Sequence, residues 1–213
     1  MIDHENKICF IHIPKTAGQS IESWLMDLRG LDVNNLEHRE LMYLGKNDFS
    51  SGLPRTASHY SYSDIRDVVF DGAIPDDYRL FAVVRDPIAR LRSELSYRFN
   101  GRIPPRVLLA MRSLPIRRVF DDFRCHLQTQ SSFLEGAPDG RIRVLRLENL
   151  ASDFSALTEE FGLPNIPLPN VNRSRGNRPP LPQSVVDWGM ATYAVDCERF
   201  GYPLTELKST AIS

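Results

Sequence analysis

The strongest constraint on this chain is a change of period that recurs along it. "KICFIHI" (Lys7–Ile13) is a short run rich in β-branched residues that stops at Pro14; Ile21, Trp24, Leu25 and Leu28 then follow at helical spacing. "LFAVV" (Leu80–Val84) is bounded by charge, as a strand covered on both faces is, and Asp86 and Pro87 supply an N-cap and a first-turn residue for a helix through about Phe99. Arg141–Leu147 and Asn149–Phe161 repeat the strand–helix pair. Strands alternating with helices predict an α/β fold on a parallel sheet, with residues 1–213 as a single domain. Pro104–Leu134 reads as mainly helical, Leu163–Pro182 as a long loop and Gln183–Phe200 as a closing helix. With the first strand near Lys7, little is expected to precede it.

Composition removes several classes of function. A net charge of −1 offers no global attraction for nucleic acid or an anionic membrane, so arginine clusters are judged one at a time. The three cysteines (Cys9, Cys125 and Cys197) are odd in number and widely spaced, which implies neither a disulfide framework nor zinc-ligand spacing. A reducing compartment is the simpler reading. No apolar stretch approaches the ~20 residues that cross a bilayer, and the first residues are not signal-like. No compact cluster of carboxylates or histidines presents a metal site.

In open parallel sheets, ligands sit beyond the carboxyl ends of the strands. Two such ends carry anion chemistry here. "HIPKTAGQS" ends the first strand and opens its helix, where unpaired N–H groups and the helix dipole favour negative charge. Gly18 lets backbone approach closely, Lys15 adds a point charge, and Thr16 and Ser20 add hydroxyls. The same residues also suit an ordinary strand-to-helix turn, and the lysine precedes the glycine instead of following the last one, as nucleotide triphosphatases require. "VVRDPIARLRSELSY" places Arg85 at the second strand tip and Ser93 eight residues on, a planar cation and a hydroxyl suited to phosphate. Alone, Arg85 reads more simply as a partner of Asp86 or of a neighbouring carboxylate. Together, the two ends suggest a ligand with two separated phosphate-like groups.

These two stretches resemble the sulfotransferase superfamily, in particular its Golgi-type carbohydrate O-sulfotransferase branch (sulfotransferase family 2). "HIPKTAGQS" is similar to the family's loop for the 5′-phosphosulfate of 3′-phosphoadenosine 5′-phosphosulfate (PAPS), and "RDPIARLRSELSY" to its 3′-phosphate motif. "SHYSY" (Ser58–Tyr62), "HLQTQSSFLEG" (His126–Gly136), "LENL" (Leu147–Leu150) and "NVNRS" (Asn170–Ser174) extend the likeness to about Phe10–Ser174. The resemblance implies a P-loop-like three-layer α/β sandwich with a central parallel sheet. It implies PAPS as sulfuryl donor, no metal, and a hydroxyl acceptor of saccharide class. It also implies donor contacts from Lys15, Thr16, Ala17, Gly18, Gln19, Ser20, Arg85, Ser93, Arg173 and Ser174. The membrane anchor and stem of Golgi members are absent from this sequence, so a soluble, cytoplasmic and bacterial enzyme is expected.

Transfer to a hydroxyl needs charge stabilisation on the departing phosphate, assigned to Lys15, and a base, for which histidine is suited. Of five histidines, His59 is the candidate: it ends "TASH" ahead of a helix-like "SYSDIRDVV", a placement that suggests a strand tip. A capping or buried structural role is its alternative. His12 reads as a core residue with one hydrogen bond, His126 as structural or lining the acceptor, and His4 and His38 as exposed. Trp24 and Tyr97 reach toward adenine or, at their helical positions, pack in the core. Arg175 and Arg178 take no assigned role. Readings from other classes are a P-loop kinase, which needs Mg²⁺, and a nucleotide-binding module without catalysis.

Overall fold

The computed structural model describes residues 1–42, 57–99, 121–164, 166–169 and 180–204. Its centre is a four-stranded sheet in chain order: β1 (Ile2–Asp3), β2 (Ile8–Ile11), β3 (Arg79–Val84) and β4 (Ile142–Arg146). β2, β3 and β4 run parallel, as the alternation of elements predicts. β1 is a correction: it precedes the expected first strand and pairs antiparallel with β2, so the sheet is mixed at that edge. Two residues are too few to carry a period. The pairing is made by the chain terminus, whose amino group donates to the Phe10 carbonyl at 2.8 Å.

Strict alternation divides the strands between two cores. Ile8, Phe10, Phe81, Val83 and Leu145 pack with Ile21, Trp24 and Leu25 of α1 (Gly18–Leu28) and with Phe154 and Leu157. Cys9, Ile11, Leu80, Ala82 and Val84 face the opposite core, with Tyr62, Ile65, Phe133 and Phe200. Burial on both faces is why β2 and β3 read as continuous apolar runs. Beyond α1 come α2 (Leu36–Leu41), α3 (Tyr62–Asp64, continued by a π turn over Ile65–Val69) and α4 (Pro87–Phe99). They are followed by α5 (Asp121–Leu127) and α6 (Leu150–Glu160). Asp86 caps α4 as expected, its carboxylate accepting from the Ala89 N–H at 2.6 Å.

The expected closing helix is two: α7 (Gln183–Thr192) and α8 (Ala194–Phe200). Tertiary bonds decide the break. Buried Tyr193 sits between them and donates its hydroxyl to the Leu127 carbonyl at 2.9 Å. One turn on, fully buried Asp196 accepts the backbone N–H groups of Gln130 and Ser131, each at 2.8 Å. Gly189 lets α7 approach α4, since a Cβ there meets Ile88 and Leu91 at 2.9 Å.

Asp196→Ala strands two buried backbone donors. Each unmet donor costs about 1–3 kcal/mol, and for a chain of this length each kcal/mol moves Tm by about 2–4 °C. A fall of roughly 5–15 °C is expected by calorimetry, with Asp196→Asn in between; an unchanged Tm refutes the anchor.

Candidate active site

Parallel pairing brings the two anion-suited strand ends to one level. The parallel ladder of β2 with β3 runs to Ile11↔Ala82, so both motifs follow from the same end of the sheet. The Arg85 guanidinium donates to the Lys15 carbonyl at 3.4 Å, which ties the two motifs together. Lys15 (φ 68°) and Ala17 (φ 69°) both adopt left-handed backbone, rare for residues with a side chain. Such conformations cost about 1–3 kcal/mol and gather at functional sites. The Lys15 ammonium lies 3.9 Å from the centre of the Tyr97 ring.

The turn's side chains do different work from that expected. Buried Thr16 donates its hydroxyl to the Ile13 carbonyl at 2.8 Å, so the hydroxyl braces the turn. The N–H of Ser20 turns back to the Ala17 carbonyl at 3.0 Å, closing the first helical turn, and its side chain is buried. Gln19 is exposed and Gly18 buried. Glycine is required at position 18 chiefly because a Cβ there lies 1.8 Å from His12 Nε2.

Arg85 is held by residues that spacing did not single out. The Gln130 side chain accepts from the Arg85 N–H at 2.9 Å and donates to its carbonyl at 2.8 Å, acting as one more strand partner at the end of β3. Glu148 accepts from the next amide, Asp86, at 2.8 Å. The stretches "HLQTQSSFLEG" and "LENL" thus fasten this strand end. Ser93 is buried in α4, two turns past Arg85.

His59 lies in a 3-10 turn (Ala57–His59), not at a strand tip. Its direction is set next door, where Ser61 and Asp64 form a capping box: the Ser61 hydroxyl accepts from the Asp64 N–H and Asp64 Oδ2 accepts from the Ser61 N–H at 2.8 Å. His59 Nδ1 donates to the His12 carbonyl at 3.0 Å; an oxygen of that kind only accepts, so Nδ1 carries the proton and Nε2 the lone pair. Two other imidazoles touch the ring edge-on, His12 at 4.4 Å and His126 at 5.0 Å between centroids. Burial, followed by the charges of His12 and His126, pushes the His59 pKa well below 6.5, so the ring stays neutral at neutral pH.

Each neighbouring imidazole is itself tied to a buried carboxylate. His12 Nδ1 meets Glu22 Oε1 at 2.7 Å, and His126 Nδ1 meets Glu94 Oε2 at 2.8 Å; Glu94 also accepts from Arg98 at 2.9 Å. Burial opposes ionisation of Glu22, but the charge and hydrogen bond of His12, with the amino terminus and Arg39, outweigh it and hold the carboxyl below the usual range. In Glu94 burial is likewise outweighed, by His126 and Arg98.

The remaining residues separate. Trp24 is core, its indole donating to the Ile166 carbonyl at 2.9 Å. Tyr97 is 73% exposed and so is no part of the core. Arg173, Ser174, Arg175 and Arg178 lie outside the described residues. A cleft of about 580 Å³ between β4, the turn at 137–140 and α8 is lined by none of Lys15, His59, Arg85 and Ser93. Among the described residues no group of three or more His, Cys, Asp or Glu side chains is arranged to hold a metal ion, and no helix is long and apolar enough to cross a membrane.

Residues 1–103 match the model of the sulfotransferase family. The matched part carries Lys15, His59, Arg85 and Ser93 and ends before His126 and Gln130. No curated protein and no solved structure matches the chain.

The depressed His59 pKa has a stability consequence. The unfolded chain gains this proton near pH 6.5 and the folded one only at lower pH, so the contribution is full above pH 6.5 and is lost as pH falls toward the folded value. Glu22 and Glu94 lose theirs separately, below the usual carboxylate pKa. The urea midpoint of the wild type is expected to drop between about pH 7.5 and 5.5, and that of His59→Gln to drop less. Equal drops refute the neutral buried ring.

Proposed function

We propose that the protein is a sulfotransferase that takes PAPS as donor and passes its sulfuryl group to an acceptor hydroxyl, with a saccharide as acceptor class. The family match supports sulfuryl transfer. The observation that carries the donor assignment is the joining of two anion-suited strand ends through the Arg85–Lys15 contact, because PAPS has an anionic group at each end of its ribose. The saccharide rests on family resemblance. Helices over both faces of the sheet support a P-loop-like three-layer sandwich. A cytoplasmic setting belongs to the same reading, with Cys9, Cys125 and Cys197 as buried thiols.

In this reading the backbone of Thr16, Ala17, Gly18 and Gln19 and the side chain of Ser20 hold the phosphosulfate at the start of α1, where the helix end favours an anion. Arg85 and Ser93 hold the 3′-phosphate, with Arg173 and Ser174 as further contacts. The acceptor oxygen forms a bond to sulfur while the bond from sulfur to the bridging phosphate oxygen breaks; that oxygen keeps the electron pair. Lys15 stabilises the charge gathering there, the kind of preorganised term that is often the largest in catalysis. His59 Nε2 takes the acceptor proton, since its Nδ1 is committed to His12. The scheme assigns charge stabilisation to Lys15 and gives no role to a metal.

Lys15→Ala is expected to lower kcat in sulfate transfer from labelled PAPS to a saccharide panel by on the order of 10²-fold while the protein stays folded. Near wild-type turnover removes Lys15 from the mechanism.

Nucleotide binding tests the donor. Hydrogen bonds to charged groups contribute about 1.5–3 kcal/mol each, so adenosine 3′,5′-bisphosphate is expected to bind at least about tenfold more tightly than AMP. Arg85→Ala is expected to erase that preference and leave AMP nearly unchanged, as read by calorimetry. Equal affinities in the wild type overturn the assignment, and tight Mg²⁺-dependent binding of ATP in their place favours a kinase.

A further inference from the structure

His12 stands between the two halves of the candidate site and belongs to neither in the scheme above. Its carbonyl accepts the His59 Nδ1 proton at 3.0 Å, which leaves the lone pair of His59 on Nε2. Its ring packs so closely on the anion turn that a Cβ at Gly18 lies 1.8 Å from Nε2 and 2.1 Å from Cδ2. Its Nδ1 is anchored to Glu22 Oε1 at 2.7 Å, both side chains being buried, and Glu22 lies on α1, the helix that the turn begins. The ring also stacks on Phe10 of β2, with centroids 5.6 Å apart. Helix, turn, strand end and base therefore meet on one imidazole.

We propose that Glu22 and His12 are positioning residues that lock the anion turn and the His59 base into one unit, so that the donor site and the proton acceptor cannot move independently. The role assigned to His59 rests on the sulfotransferase reading; the mechanical coupling of turn to imidazole does not. Glu22 acts only through His12. As an ionised, buried acceptor it holds the His12 Nδ1 proton and so sets where the ring lies, which in turn sets the carbonyl that chooses the His59 tautomer. His126, braced by Glu94 and Arg98, supports the other contact of the His59 ring.

The coupling has a signature that ordinary structural support lacks: a change in the anion turn alters a histidine 41 positions away (59 − 18). ¹⁵N-edited NMR of the imidazoles in the full chain reads it without any substrate. In the wild type His59 is expected to be the Nδ1–H tautomer. Gly18→Ala, by displacing the His12 ring, is expected to shift the ring-nitrogen signals of both His12 and His59 and to mix the tautomers of His59. Glu22→Ala is expected to do the same within a folded protein and to lower kcat at least about tenfold. Glu22→Gln, which keeps an acceptor oxygen for His12, is expected to recover most of both. Should Gly18→Ala fail to fold, the Glu22 pair of variants carries the test. Variants that lower Tm while the His59 tautomer and signals stay as in the wild type overturn the proposal. Loss of the bisphosphate preference in the wild type sinks the sulfotransferase reading and leaves the NMR result standing, so the two failures are distinguishable.

Discussion

Everything at the site hangs on the parallel pairing of β2 with β3. Both strands are buried on both faces, and side chains alternate between two separate cores. A slip of one residue exchanges those cores wholesale, so the register is strongly specified. That register carries both motifs to the same end of the sheet, where the Arg85 guanidinium meets the Lys15 carbonyl. β3 then continues past its last ladder bond on side chains: Gln130 bonds both backbone groups of Arg85, and Glu148 takes the amide of Asp86. Gln130 is in turn held by Asp196 through its own amide. The strand end is rigid because three distant segments converge on it.

The turn after β2 is under the opposite regime. It contains two left-handed residues with side chains, a conformation that the surrounding structure must impose. Thr16 imposes it from within, by bonding back to Ile13, and the imidazole of His12 imposes it from below by filling the space against Gly18. The glycine thus serves a packing need in a region where a sequence motif suggests a ligand need.

Burial of ionisable groups is concentrated around His59. Three imidazoles and two carboxylates share a small volume, and each imidazole Nδ1 has an oxygen partner: Glu22 for His12, the His12 carbonyl for His59 and Glu94 for His126. The carboxylates of Glu22 and Glu94 are held ionised. Burial keeps His59 neutral, and the bond from its Nδ1 to the His12 carbonyl leaves the lone pair on Nε2. The difference between a charged and a neutral partner separates the central ring from its neighbours.

Periodicity alone determined the α/β class, the three parallel strands, the capped helix from Pro87 to Phe99 and the location of both anion-suited strand ends, because each depends on residues within one short window. Lys15, Arg85 and Ser93 stand out as candidates for the same reason. What only the tertiary structure decided involves partners far apart in the chain. The two-residue β1 needed the neighbouring strand, and the break at Tyr193 needed the 127–131 segment. The 3-10 setting of His59 depends on a carbonyl 47 positions away, and the exposure of Tyr97 on the turn of α4 that faces solvent. Local sequence did not single out the bonds made by Gln130, Glu148, Glu22 and His12, since an amide, a carboxylate or a ring is informative only when its partner is known. Local sequence sets which backbone shape is cheapest and which charges are available; the register between strands, a long-range packing property, decides which of them meet.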